Sequence, residues 1–417
     1  MSRIKTLPFV LVLGLLATAA VLGQAQSNFT VIHTFTGPDG SGPYAGPTLD
    51  RAGNLYGTTS AGGAGSGLVY RLAHANSAWV LHPLYKLTSV NEGANPYAGV
   101  TIGPDNTLFG TAYTQGAGGF GTLFHLTPPP NAVCRAALCP WTDTVLHPFA
   151  GGASDGSTPY GNVLFDSHGN LYGTTQYGGA SNAGTVYKAT RAGGTWNVSV
   201  IYTFKFDGVD GHYPMSGLVM DSAGNLYGTT QNGGPVNFGT VFKLSPSGEG
   251  WTETVLHSFG SSQGCINDGG YPVGGLVFDR AGNLYGATHG FGYTGCGTIF
   301  ELSPQESGWN FTTLYTFPEN GASANGPKSA LAIDSAGNLY GTTPTGGLYG
   351  HGNVCELSPT GGGWTYSDLY DFTGGNDGDA PVGGVAVTGP GGHLYGTTMN
   401  GGANSAGVIY QIDLGAH

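Results

Sequence analysis

Apolar and polar positions along this chain alternate in short bursts, each closed by a turn rich in Gly, Asp, Asn or Ser. The stretch from Ser216 to Phe259 shows the unit. Gly217 to Met220 is a first strand-like run. Asp221-Ser222-Ala223-Gly224 then turns the chain, the Asp accepting backbone N–H groups and the Gly free to take positive φ. Asn225-Leu226-Tyr227-Gly228-Thr229-Thr230 is the second run. After a Gly-Gly loop, Thr240 to Leu244 is the third, and Ser245-Pro246-Ser247-Gly248 turns again. The fourth, Trp251 to Phe259, is dominated by β-branched and aromatic residues and has no helical spacing. Four antiparallel strands joined by short hairpins predict one blade of a propeller.

The second run occurs seven times, starting at Asn54, Thr107, Asn170, Asn225, Asn283, Asn338 and His393, at intervals of 53, 63, 55, 58, 55 and 55 residues. Such a period belongs to repeat folds. All six tryptophans begin the fourth run of a repeat, at Trp79, Trp141, Trp196, Trp251, Trp309 and Trp364. One Trp per repeat at a fixed place predicts a packing residue that seals the outer strand against its own blade or the next. The last repeat stops after its third strand, Val408 to Ile412, while Phe29 to Phe35 matches the later half of a fourth strand and precedes the first repeat. The expected fold is therefore all-β: a seven-bladed β-propeller of four-stranded antiparallel blades, its ring closed by the N-terminal strand. Closure would protect the edges that an open sheet exposes. The rival, a non-closing solenoid, needs capping repeats that the sequence does not show.

Composition adds the setting. Arg3 and Lys5, the apolar run Leu7 to Leu22 and Gly23-Gln24-Ala25 read as a secretory signal peptide, residues 1–25, cleaved after Ala25. Residues 26–417 are then one domain, secreted to the exterior or periplasm, with no membrane span after cleavage and expected to be a monomer. Without Arg3 and Lys5 the chain has 10 basic against 24 acidic residues, which disfavours nucleic acid and anionic lipid as partners. An exported chain can pair its five cysteines. Cys134 and Cys139 lie in the insertion Pro128 to Pro140, so a local bridge is expected there, with a second between Cys265 and Cys296 in two Gly-rich loops. Cys355 occupies the position of Phe242 and Phe300 and reads as a buried apolar residue.

The run Asp221-Ser-Ala-Gly-Asn-Leu-Tyr-Gly-Thr-Thr, followed by Gly233-Gly234 and Gly239-Thr-Val-Phe-Lys-Leu, resembles the GloVer tandem repeat of exported bacterial choice-of-anchor proteins. The resemblance covers nearly the whole mature chain. It implies a secreted or surface protein and brings no activity, cofactor or catalytic residue; the C-terminal anchor of that family is not expected here. The Gly-Leu-Val-x-Asp-Ser-x-Gly-Asn-Leu-Tyr pattern is more loosely similar to NHL-type propellers, a likeness of fold that assigns no chemistry.

Two sets of residues are candidates for a site. In six of the seven loops from an outer strand to the next inner strand an acidic residue stands four before a proline, Asp39, Glu92, Asp155, Asp210, Asp268 and Asp377, and Ser323 takes that place in the seventh. The acidic residues are expected to gather at the mouth of the axial channel. Turn chemistry explains them, and a Ca²⁺ or polyol site is the functional alternative. The loops between second and third strands share that face, and there His289, Tyr293 and His351, with His212 in a crossover loop, depart from the repeat as candidate ligand-binding residues. His33, His147 and His257 fill the place of Tyr202, Tyr315 and Tyr370 and read as packing. No zinc-binding or nucleophile-elbow spacing occurs. The resulting expectation is a non-catalytic binding module without a catalytic residue, its ligand a carbohydrate or another extracellular protein. The alternatives are a lyase or hydrolase acting on polysaccharide or lactone, with His212, His289 and Asp210 or Asp268 as acid-base candidates, and a structural envelope or matrix component.

Overall fold

The computed structural model describes residues 28–415 except 131–140, 261–267, 291–296, 319–325 and the single positions 64, 77, 89, 249 and 390. The predicted signal peptide and the cysteines of both expected bridges lie outside the described residues. Seven four-stranded antiparallel sheets follow one another along the chain, spanning residues 48–86, 101–148, 164–203, 219–258, 277–316 and 332–371 for blades 1 to 6. Blade 7 combines 386–413 with the N-terminal strand Asn28–Thr34, which pairs antiparallel with Val408–Asp413. Among the described residues there is no helix. Seven apolar clusters each join two successive blades, and one of them unites Phe35, Leu55 and Tyr70 with Tyr395 and Ile409 across the junction of blades 7 and 1. The sheets therefore close into the expected ring.

Each residue of the recurrent Asp-x-x-Gly-Asn-Leu-Tyr-Gly-Thr-Thr stretch has a physical task. Asp221 Oδ1 accepts from the Ala223 and Asn225 N–H groups at 2.9 Å each, and its Oδ2 accepts from Asn225 Nδ2 at 2.7 Å and Tyr227 Oη at 2.9 Å. One side chain thus holds the hairpin and ties it to the second strand. Tyr227 in turn lies edge-on to Trp309 of the following blade, with ring centroids 5.8 Å apart. The same contact joins Trp79 to Tyr395, Trp196 to Phe109, Trp251 to Tyr172 and Trp364 to Tyr285. The tryptophans seal each outer strand against the preceding blade, a direction the sequence left open.

Gly228 is required because the Phe242 ring of the third strand lies over it; a Cβ there would come within 2.7 Å of the ring. In blade 6 the ring is replaced by Cys355, which is fully buried and free, as its position in the repeat implied. The first Thr reaches into the next blade. Thr58, Thr111, Thr174, Thr229, Thr342 and Thr397 donate Oγ1–H to the carbonyls of Ala98, Gly161, Ser216, Gly274, Gly383 and Ala45 at 2.7–3.3 Å. The last of these bonds joins blade 7 to blade 1.

Candidate functional site

One face of the ring carries both the crossover loops and the loops between second and third strands, and backbone pairing knits them together. Gly211–His212 pairs with Asn232–Gly233, Gly156–Ser157 with Tyr177–Gly178, and Ser41, Ala94 and Asp379 bridge Ala61, Thr114 and Asn400. The shared face is as expected, but the acidic residues do not converge on the axis. A bulge in the outer strand, between the partners of Val241 and Phe242 for instance, redirects the next side chain toward the crossover loop. The loop carboxylate meets it there. His33 Nε2 lies 3.2 Å from Asp39, His147 Nε2 3.1 Å from Asp155 and His257 Nε2 3.3 Å from Asp268, while Tyr202 and Tyr370 donate to Asp210 and Asp377 at 2.8 and 3.0 Å. Asp39, Asp155, Asp210 and Asp377 also accept the N–H of Thr36, Ala150, Lys205 and Thr373 at 2.7–3.1 Å. Each carboxylate is held at its own blade junction beside the outer strand, since the loop returns to the strand that launched it before crossing inward. Among the described residues no three His, Cys, Asp or Glu side chains form a group able to hold a metal ion.

The off-pattern histidines are likewise spread around the rim. His212 lies against Phe206 and Tyr213, with Nδ1 buried and unpartnered, and burial lowers its pKa. His351 Nδ1 is 2.9 Å from Asp379 at the junction of blades 6 and 7. His289 donates Nδ1–H to the Gly326 carbonyl at 3.0 Å; burial, and to a smaller degree the charge of Lys328, brings its pKa down to about 4. Tyr293 lies outside the described residues. No two of the three described histidines share a carboxylate.

The axis itself holds a different set. A cavity of ≈ 320 Å³ opens where the crossover loops enter the inner strands, and all seven blades line it. The side chain immediately after each crossover proline belongs to its wall: Tyr44, Tyr97 and Tyr160 in blades 1 to 3, Met215, Val273 and Val382 in blades 4, 5 and 7, and Lys328 in blade 6. The tyrosine rings form one cluster, with centroids 4.9 Å apart for Tyr44 and Tyr97, 5.5 Å for Tyr97 and Tyr160 and 5.9 Å for Tyr44 and Tyr160. Tyr113 backs them and donates to Gln176 at 3.1 Å. Burial raises the Tyr160 hydroxyl, which is also hydrogen-bonded to Tyr44, and lowers the Lys328 ammonium. No histidine or carboxylate is among the described lining residues. Sequence reasoning used the crossover prolines to find the acidic residues before them and passed over the residue after them. The signal was present in Pro43-Tyr44, Pro96-Tyr97 and Pro159-Tyr160.

A family model described as the Gloeobacter/Verrucomicrobia repeat matches the chain over residues 18–136, 132–267 and 264–417. Among solved structures, a candidate 6-phosphogluconolactonase from Bacteroides uniformis is 14% identical, covering 82% of this chain and 88% of its own, with a TM-score of 0.50. Another from Bacteroides fragilis is 13% identical, with 82% and 86% covered and a TM-score of 0.51. Likeness at that identity shows the fold alone. No curated protein matches the chain.

Proposed function

The chain belongs to the Gloeobacter/Verrucomicrobia repeat family, and we propose that it is a secreted, non-catalytic binding module whose ligand, a carbohydrate, enters the axial mouth on the face of the crossover loops. The observation that carries this reading is the lining of that cavity: an arc of tyrosines and one lysine, with no histidine or carboxylate beside them among the described residues. Aromatic faces with hydroxyl tips suit a ligand that is apolar on one side and hydroxylated on the other. General acid-base chemistry uses titratable groups positioned at a reacting atom, and the off-pattern histidines His212, His289 and His351 stand apart from one another.

A protein partner is the second reading, favoured by the rim. Of the eight large apolar side chains that are exposed among the described residues, seven lie in loops of this face, Phe206, Val209, Leu348 and Tyr349 among them; only Val80 does not. Apolar groups gathered on one side of a ring mark an interaction surface. A glycan array probed with the mature chain separates the possibilities. Saturable glycan signal that is lost on Tyr97→Ala supports the carbohydrate reading. A blank array together with stoichiometric capture of one extracellular protein supports the second. Turnover of a lactone or polysaccharide by the purified chain overturns the non-catalytic role.

A further inference from the structure

The axial mouth is where the sevenfold pattern breaks on two sides of one cavity. Blade 2 is the middle of the tyrosine arc. In a ring of seven it faces the junction of blades 5 and 6, so Lys328 stands across the cavity from the aromatic wall. At the same junction the threonine hydrogen bonds that join successive blades are interrupted. Ala287 occupies the place of the donor, and Ser329, at the acceptor's place, leaves its Oγ buried without a partner. Lys328 is half-buried, and among the described residues no carboxylate lies within ion-pair distance of it. An ammonium withdrawn from water without a counter-ion is a charge left incomplete. Lys328 also helps to keep His289 neutral, so the histidine adds no second positive charge. Among the described residues, the ammonium is left open to a single anionic group presented from the axis.

The opposite wall says what carries that group. Three tyrosine rings offer a continuous aromatic surface for the C–H face of a sugar ring. Each inner strand pairs on one side only, with the second strand of its own blade, so its other edge turns backbone N–H and C=O groups toward the axis, where hydroxyl groups can satisfy them. The volume lies at the small end of ligand pockets, which run from about 300 to 1,000 Å³. The lone lysine supplies a single positive charge, which matches one monoanionic group such as a carboxylate.

We propose that the axial mouth binds a uronic acid residue of an acidic polysaccharide, its ring against Tyr44, Tyr97 and Tyr160 and its carboxylate at Lys328. This rests on the carbohydrate-binding reading above. The chain's net negative charge opposes an anion at long range, but that field is screened beyond about 10 Å at 0.1 M ionic strength.

Calorimetric titration of the mature chain at that ionic strength tests the proposal, using trimers of galacturonate, glucuronate and mannuronate, their carboxyl-reduced neutral counterparts and a sulfated galactose trimer. At least one uronate trimer is expected to bind about tenfold or more tightly than its neutral counterpart. Lys328→Met should remove that difference without weakening the neutral sugar, Lys328→Arg should keep most of it, and Tyr97→Ala should weaken both sugars. Thermal unfolding of each variant confirms that it folds. Equal binding of acid and neutral sugars overturns the proposal but leaves a carbohydrate-binding module. Preference for the sulfated trimer, unchanged uronate binding by a folded Lys328→Met variant, or binding of no uronate overturns it as well. If the glycan array is also blank, the carbohydrate reading falls with it.

Discussion

Glu253 and Asp143 occupy a position on the outer strand where other blades have Leu81, Val198, Phe311 and Tyr366. That side chain faces the preceding blade: Phe311 stacks on His257 at 3.8 Å and Tyr366 on Tyr315 at 4.2 Å. A carboxylate there meets the crossover-loop acid instead. Burial first, and then the charge of Asp210, push Glu253 up to about 7; burial and Glu92 do the same for Asp143. Glu253 Oε1 and Asp210 Oδ1 are buried without hydrogen-bond partners. A carboxyl whose folded pKa exceeds its unfolded value holds its proton longer in the native state, so between about pH 4.5 and 7 stability falls as pH rises. Glu253→Gln removes that penalty and gives Asp210 an amide neighbour. The variant is expected to be more stable than the wild type at pH 8 by about 1–3 kcal/mol, discounted for partial exposure, and equal to it at pH 4. Urea unfolding at the two pH values checks this, and equal midpoints at pH 8 would refute it. His289 works in the opposite sense, its pKa of about 4 withdrawing stability as pH falls below 6.5. Neither effect was legible in the sequence. Trp251-Thr252-Glu253-Thr254 reads as an alternating strand with a polar outer face, and only the neighbouring blade shows that Glu253 points into an interface.

The strands were legible because local physics fixes them one at a time. Asp221, Asn225 and Gly224 specify their hairpin within a few residues, and Gly228 with Phe242 sets the register of the second and third strands. What reaches from blade to blade was not, because a sequence shows a repeated spacing without showing what lies across it. The first Thr of Leu-Tyr-Gly-Thr-Thr looks like one more β-former and is an inter-blade hydrogen bond. Its exception supplies a test. Ala287 is the only non-threonine at that position, and the junction of blades 5 and 6 lacks the bond. Ala287→Thr should place a hydroxyl opposite the Ser329 carbonyl and stabilise the protein by about 1 kcal/mol, whereas Thr174→Val, nearly isosteric, should cost about 1–2 kcal/mol by leaving the Ser216 carbonyl without its donor. Thermal unfolding of the two variants should move in opposite directions. A destabilised Ala287→Thr would mean that the junction is too tight for the added atoms.

Closure of the ring was read from the arithmetic of the termini and is borne out strand by strand. Asn28 pairs with Asp413, Thr34 with Val408, and the Phe35 N–H donates to the Gly407 carbonyl at 3.1 Å. Phe29 stacks on Tyr370 of blade 6 at 3.7 Å, so a strand from the start of the domain is locked between blades formed from its end. The axial lining, by contrast, could not be placed until the radial order of blades put Lys328 across from Tyr97. Closure also fixes how the molecule can fail. Removing residues 28–35 uncovers the edge of Val408–Asp413, where Ile409, Tyr410 and Ile412 are fully buried in the intact ring, and deletes the seal between blades 7 and 1. The truncated chain is expected to lose about 10 °C or more in Tm and to self-associate, and a peptide of residues 26–36 added in excess should restore both. A circular permutant that joins the native ends through a short linker and opens at the exposed Gly193-Gly194 turn keeps every strand of every blade. It should unfold as cooperatively as the parent, because the ring depends on that strand being present and not on the order in which the chain delivers it. A truncated chain that melts like the parent would show that the first and last blades hold together without their shared strand, and the closed ring would not be what stabilises this protein.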